Sequence, residues 1–400
     1  MLRLQNHIAT GKKRGAFYLF VCSFFVLISL PLDLKATGPQ KNKTQSTITS
    51  LYGDVVVDNN LIKALINHPA LKRMRFIDNA GPSRYFRSLP AYSLFDHALG
   101  VYVILKRFNR PLDEQIAGML EPIAHSVFSH QGTLFLRPKS SNKPYYLAAH
   151  SSYLKTVGLE PWLMKAKLSA QDVDPLNEKF TALYQNPPFL SAIEIEMTLR
   201  LAYSYKLLTI KEIKQIMDDL RFEEGRWFFV TEKSAAKLGT LSLYFTERYW
   251  GAPQNYVVNR WVAAAMKRAV DLGVLSVKEI RFGIDKSVLQ KLMHVKDKVI
   301  HGLLVQCRQP FRFYSVAKNG SFDEIYKPEF RGLNPLVKRE GQYIRLTQLD
   351  LDYSKRFKAL RESFIQGIKI KFKKPAKNSG FSEFNGGSFA GALYELEVAF

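Results

Sequence analysis

Cysteine is nearly missing from this 400-residue chain, with Cys22 and Cys307 the two present. Cys22 lies in an N-terminal segment that reads as a leader, so a processed chain keeps one thiol and cannot form an intramolecular disulfide. Zinc ribbons and cysteine nucleophile motifs are absent too. Acidic residues are in short supply: 35 Asp and Glu face 58 Lys and Arg, for a formal charge of +23. The first 36 residues hold about +4 of this, leaving roughly +19 on the body of the chain. Such an excess suits anionic partners, whether nucleotides, nucleic acid or an anionic membrane. A basic proteome or a solubility requirement leaves the same excess, so charge alone decides nothing. Internal repeats are absent.

What is present is apolar enough, at 46% hydrophobic, for one large helical domain or a domain with a smaller appendage. Residues 1–36 read as a signal peptide or N-terminal anchor. Arg3, Lys12, Lys13 and Arg14 precede an apolar run from Ala16 to Leu32, and Ala36 is a small residue suited to cleavage. The run is short for a comfortable membrane span. A secretory signal leads to a periplasmic or secreted protein, and an uncleaved segment to one anchored in the membrane. Residues 37–50 are polar and aperiodic, as in a linker. Ser50 to Val57 suits a short strand, and Asn60 to Ala80 carries Leu61, Ile62, Leu65, Ile66, Leu71, Met74 and Ile77 at helical spacing. Arg84 to Tyr92 reads as a loop.

The chain is organised around residues 93–130. S-L-F-D-H-A-L-G-V-Y opens the block, with Asp96-His97 at the head of an apolar helical segment through Leu105. A second apolar helix, Ile116 to Leu120, ends at Glu121-Pro122, and His125 and His130 follow in a short apolar loop. Three of the eight histidines fall in this block.

These segments resemble the HD superfamily of metal-dependent phosphohydrolases, in particular its dNTP triphosphohydrolase-like branch. There a run of the type R-F-x-H-S-L-G-V supplies the first metal histidine, and L-L-H-D-I-G-H-G-P-F-S-H supplies the His-Asp pair that names the family. This chain reads L-F-D-H-A-L-G-V and M-L-E-P-I-A-H-S-V-F-S-H. His97 keeps the first ligand position, but the naming pair is replaced by Glu121 and Pro122. H-P-A-L-K-R-M-R-F-I-D-N-A-G (68–81) is similar to the family's lead-in, and F-R-G-L-N-P-L-V (330–337) to a segment of its C-terminal region. His150 falls where the family opens a helix with His-Glu, followed here by Ser151. The last family metal ligand, an Asp, maps to Ile193 when the segment is aligned on Arg200. Glu196 and Arg200 remain at i,i+4, the spacing of a helix-surface ion pair.

The resemblance implies a mostly α fold: an HD-domain helical fold over 51–305, a basic α+β C-terminal region over 306–377, and a flexible tail over 378–400. Within 306–377, F-R-F-Y-S-V-A and G-Q-Y-I-R-L-T alternate as strands do, and I-K-I-K-F-K-K (368–374) suggests a solvated edge strand. An HD site uses a divalent metal to acidify water and neutralise phosphate oxygens. One ligand of four survives, so the expectation is an eroded metal site in a catalytically impaired, pseudoenzyme-like nucleotide- or phosphate-binding or regulatory protein. The alternative is an active phosphohydrolase using a variant site. By resemblance, His125, His130 and His150 hold catalytic or substrate-facing positions, Arg200 faces substrate, and His97 with Glu121 holds a metal weakly. His125 could contribute to a rebuilt set. Satisfied interior histidines are the competing reading. The cofactor is a divalent metal (Mn, Fe, Zn or Mg) if the protein is active, and none otherwise. Expected partners are an anionic small molecule (nucleotide or phosphoester), nucleic acid from charge alone, membrane if the leader stays, and a second copy of the chain.

Overall fold

The computed structural model describes residues 46–87, 89–136, 143–317 and 320–373. The leader, the cleavage point at Ala36, most of the linker and the tail from 378 lie outside the described residues. Among those described, no helix is long and apolar enough to cross a membrane.

The chain enters through a hairpin of β1 (Ser46–Ser50) and β2 (Gly53–Val57). β1 corrects the linker reading for residues 46–50, because pairing with β2 satisfies a backbone whose polar side chains gave no strand signal. α1 (Asn60–Asn67) starts on the Asn59 side chain, which accepts from the Leu61 and Ile62 amides. The single helix expected to run on to Ala80 breaks at His68-Pro69. His68 Nδ1 accepts from the Ala70 amide at 3.2 Å, starting a short helix over Pro69–Arg73. The loop expected over Arg84 to Tyr92 overlaps another short helix, Ser83–Phe86.

α2 (Leu94–Arg107) is the central helix. Ser93 and Asp96 form a capping box, each side chain accepting from the other's amide at 3.1 Å, and Lys106 and Arg107 complement the C-terminal dipole. α3 (Leu112–Leu120) packs along it. The two approach closely because Gly118 has no Cβ; an added methyl would stand 2.5 Å from Leu105 Cδ1 and 2.9 Å from Val101 Cγ1. α4 (Ala192–Ser204), started by Ser191, packs on α2 and is buried on nearly every side. β3 (Leu220–Glu223) and β4 (Arg226–Phe229) form a hairpin, followed by α5 (Glu232–Phe245) and α6 (Pro253–Asp271). α6 ends before Gly273, whose φ of +68° suits glycine, and packs against α7 (Lys298–Arg308).

The C-terminal region holds β5 (Tyr314–Val316), β6 (Glu324–Tyr326), β7 (Leu336–Arg339), β8 (Gln342–Arg345), α8 (Leu351–Gln366) and β9 (Ile368–Phe372). The fold is mostly helical with small sheets, as expected. β7 pairs in parallel with β4, so the four-stranded order β3-β4-β7-β8 joins residues on both sides of position 306. The second sheet runs β5-β9-β6. β9 is therefore the middle strand, not an edge. Its alternation buries Ile370 while Lys371 pairs with Asp323 at 3.0 Å, so the lysines mark a one-faced sheet with both edges of β9 paired. The strand expected across F-R-F-Y-S-V-A is shorter than predicted, since Pro310–Phe313 form a helical turn first.

The α2–α3 crossing yields a stability prediction. Gly118→Ala should destabilise the protein by about 1–3 kcal/mol through overpacking, although alanine is the better helix former by about 1 kcal/mol. Urea denaturation checks this, and a stabilised variant would show that the helices separate there at little cost.

Candidate functional site

α2 and α4 bring His97 and Glu196 together inside the protein. His97 is 3% and Glu196 0% exposed. His97 Nδ1 hydrogen-bonds Glu196 Oε2, and Glu196 Oε1 accepts from Arg200 Nε and, at 3.0 Å, from the Tyr52 hydroxyl. Arg200 Nη2 donates to the Asp96 carbonyl at 3.0 Å. Gly100 makes room, because a Cβ there would collide with the Glu196 carboxylate. Glu196–Arg200 is thus no surface pair. α4 is enclosed by α2 and α5, so the i,i+4 pair that solvent would otherwise screen turns inward to His97. Burial alone would raise the Glu196 pKa, but the charges of Arg200 and His97 outweigh it and hold it below the usual range. For His97 burial pulls down, while Glu196, by charge and hydrogen bond, and then Glu121 push the net value up. The two directions agree on an ion pair.

Glu121 ends α3, and its Oε2 lies 3.9 Å from His97 Nε2, beyond a hydrogen bond. Burial raises its pKa, opposed by His97 and by a hydrogen bond from Tyr146. Pro122 offers no donor atom, and Ile193 is a buried apolar side chain. Its neighbour Glu194 bonds Arg331 Nη2 at 2.6 Å.

His125 and His130 stand on a loop that doubles back sharply. Phe128 and Ser129 both have positive φ, 56° and 59°. The loop is fixed by Phe128 N donating to Asp285 Oδ1 at 2.6 Å and Gly132 N donating to Ser126 Oγ at 2.7 Å. The His125 ring stacks on Tyr146 (centroids 3.9 Å, 16°) and meets His130 edge-on at 4.6 Å. Its Nδ1 is buried without a hydrogen-bond partner, and burial, then the charge of His130, depresses its pKa strongly. The His130 ring is exposed, yet surrounding protein first, then the charges of Arg331 and His97, lower its pKa to about 4. His150 turns away from this group. It is buried, with Nε2 3.1 Å from the Leu120 carbonyl, so Nε2–H donates to the end of α3.

The structure therefore joins His97 to Glu121, and His125 to His130. It holds Arg200 against Glu196, and it directs His150 to backbone. Sequence reasoning missed Tyr52, Tyr146 and Arg331. The segment holding Arg331 was visible as F-R-G-L-N-P, but no pattern in it indicated a partner on α4. Surface depressions of about 540 Å³, lined by Arg75, Tyr85, Tyr92 and Asp96 among others, and about 390 Å³, beside Tyr102 and Lys106, lie apart from these histidines.

The resemblance implies a metal, for which positions 122 and 193 supply no ligating side chain and for which Glu194 and Glu196 are already ion-paired. Among the described residues no group of three or more His, Cys, Asp or Glu side chains could hold a metal ion. His97 Nδ1 is engaged by Glu196, Glu196 by Arg200 and Tyr52, and Glu194 by Arg331, whereas His125 Nδ1 has no partner and Glu121 faces His97 Nε2.

No protein-family model matches the chain. It is 22% identical over 326 residues to YdhJ, an uncharacterized protein of Bacillus subtilis, across 81% of this chain and 98% of that one. A metal-dependent phosphohydrolase from Cordyceps militaris is 25% identical over 171 residues, 43% of this chain and 49% of the relative. Among solved structures, a phosphohydrolase from Bacteroides thetaiotaomicron gives a TM-score of 0.64 at 13% identity, over 83% of this chain and 100% of the other. A hypothetical protein from Aquifex aeolicus gives 0.58 at 16% identity, covering 78% and 93%. The fold is HD-like. These likenesses support the HD-type phosphohydrolases as the superfamily of this chain, and the structural ones speak to fold alone.

Within this HD-like site, His150 supplies a prediction in pH. Burial lowers its folded pKa below the unfolded value of about 6.5. The unfolded chain therefore takes the proton first as pH falls, and stability is lost below about 6.5. His150→Gln removes this contribution, so the destabilisation it causes should be greatest above pH 7 and shrink toward pH 5. Urea denaturation at several pH values measures the gap, and a constant gap would contradict a buried neutral imidazole.

Proposed function

We propose that this protein has kept the HD fold and given up its metal chemistry, and that it works by binding rather than by hydrolysis. The observation that carries the reading is the partnering of the acidic and imidazole groups at the family's metal position. Glu196 is clamped by His97, Arg200 and Tyr52, and Glu194 by Arg331, while Pro122 and Ile193 have no ligating atom. A metal entering there would have to displace two guanidinium groups from buried carboxylates, a change that costs several kcal/mol for each uncompensated charge.

The ligand in this reading is a phosphate-bearing small molecule of the nucleotide class. The basic body of the chain and the exposed His130 beside the Tyr146 ring support it, as does the resemblance of residues 68–130 to the dNTP triphosphohydrolase-like branch. Arg200 has no part in holding the ligand in this reading, because its donors go to Glu196 and the Asp96 carbonyl. The N-terminal segment suits an exported protein, so the ligand would be met outside the cytoplasm.

A second reading has one observation in its favour. The carboxylate of Glu121 faces His97 Nε2 across 3.9 Å, and a relative is named a metal-dependent phosphohydrolase. In it, His97, Glu121 and His125 hold Mn, Fe, Zn or Mg for hydrolysis of a nucleotide or phosphoester.

Elemental analysis separates the two, using the full chain purified without chelator or metal-affinity tag and then assayed against a nucleotide panel with each ion. The expected result is metal far below one ion per chain and no hydrolysis above background. Near-stoichiometric metal, lost together with activity in His97→Ala and Glu121→Ala, would establish the second reading instead.

A further inference from the structure

The sheet β5-β9-β6 has a face that the histidine site does not use. Directly opposed residues of antiparallel strands project to the same side. One row, with Tyr314 opposite Phe372 and Tyr326 opposite Ile368, turns inward with Ile370 between them. Ile370 is fully buried, Tyr326 stacks on Tyr256 of α6 (centroids 4.0 Å, 11°), and Glu324 pairs with Arg260. The other row, with Ser315 opposite Lys371 and Ile325 opposite Lys369, turns outward.

Open apolar side chains stand among the lysines of this outer face. Phe311 is 64%, Phe322 40% and Ile325 44% exposed. Lys369 Nζ lies 5.3 Å from the centroid of the Phe322 ring, and Lys373 Nζ donates to the Phe311 carbonyl at 3.3 Å. Lys327 lies alongside Ile325, since a Cβ on Gly367 would stand 2.5 Å from Ile325 Cγ2 and 3.1 Å from Lys327 Cγ. Lys371 pairs with Asp323 at 3.0 Å. Lys327, Lys369 and Lys373 have no carboxylate partner among the described residues.

We propose that the outer face of β5-β9-β6 docks on an anionic phospholipid bilayer, its lysines meeting the headgroups while Phe311, Phe322 and Ile325 enter the headgroup–acyl boundary. Charge complementarity selects an anionic partner, and the exposed apolar groups select one with an apolar layer beneath its charge. Single-stranded nucleic acid is also anionic but needs open aromatic faces for its bases. Here Phe311 lies on Tyr314 and Phe322 under Lys369, so each ring has a face taken, and Ile325 has no π face. A lipid interface accepts apolar side chains of any shape, and the lysine stems lie along it with their ammonium groups in water. The inference is independent of how the histidine site is read.

The test uses a local probe in the full chain, because the N-terminal segment itself suits lipid. A fluorophore is attached at Ser315→Cys on the outer face in a Cys22→Ser background, where the other thiol, Cys307, is buried. Vesicles with brominated acyl chains, of phosphatidylcholine alone or mixed with phosphatidylglycerol, then quench the probe if this face meets the bilayer. Quenching should follow the mixed vesicles, be slight with phosphatidylcholine alone, and fall as salt is raised. Lys327→Gln/Lys369→Gln/Lys373→Gln, which spares the Lys371–Asp323 pair, should raise the lipid concentration needed about tenfold or more. Phe311→Ser/Ile325→Ser should make the quenching shallower. Should the triple variant not fold, Lys369→Gln alone should raise the lipid requirement about threefold. A probe left unquenched while the chain floats with the vesicles would mean that the N-terminal segment alone holds lipid, and would overturn the proposal. Quenching indifferent to the lysine substitutions would overturn it too. A probe that responds to a single-stranded oligonucleotide and not to vesicles would assign the face to nucleic acid instead.

Discussion

The buried chain of charge from His97 through Glu196 to Arg200 is the constraint on which the rest of the site depends. Removing such groups from water costs several kcal/mol each, and the arrangement stands because every member has partners. Glu196 takes bonds from His97, Arg200 and Tyr52, and Arg200 also donates to the Asp96 carbonyl. These contacts tie α2, α4 and the β1–β2 turn into one unit. The capping box that starts α2 places His97 one turn in, and Gly100 leaves the space that Glu196 fills. The interior of this HD-like fold is thus cross-linked by protein charges.

The other half of the site is neutral and aromatic. His125 stacks on Tyr146, His130 meets both rings edge-on, and His150 holds the end of α3. Burial favours the uncharged imidazole at His125 and His150. The turn at Phe128 and Ser129, both at positive φ, is held by Asp285 through the Phe128 amide.

Much of this was readable in the sequence. α2 and α3 followed from apolar spacing bounded by Ser93 and Pro122, and His97 and Glu121 fell close because those two helices pack together, while His125 follows in the loop after α3. Glu196 and Arg200 were misplaced on the surface. Their i,i+4 spacing is the same whether a helix faces water or core, and what buries α4 is packing against α2 and α5, which no local pattern records. β9 was misjudged for a related reason: alternating lysine marks one wet face, but it does not say whether the strand's edges are paired. Arg331 and Tyr52 were invisible because their partners on α4 lie far away in sequence. The β4–β7 pairing escaped likewise, as long-range register leaves no mark in either strand.

The most direct measurement of the central claim is the protonation state of His97, read from its two imidazole nitrogens by ¹⁵N NMR with and without Zn²⁺. A protein-only ion pair predicts Nδ1–H bonded to Glu196 and a charged ring persisting above the ordinary histidine pKa, unchanged by added Zn²⁺. A neutral ring whose Nε2 signal shifts on binding Zn²⁺ stoichiometrically would contradict it, and would return the site to metal chemistry.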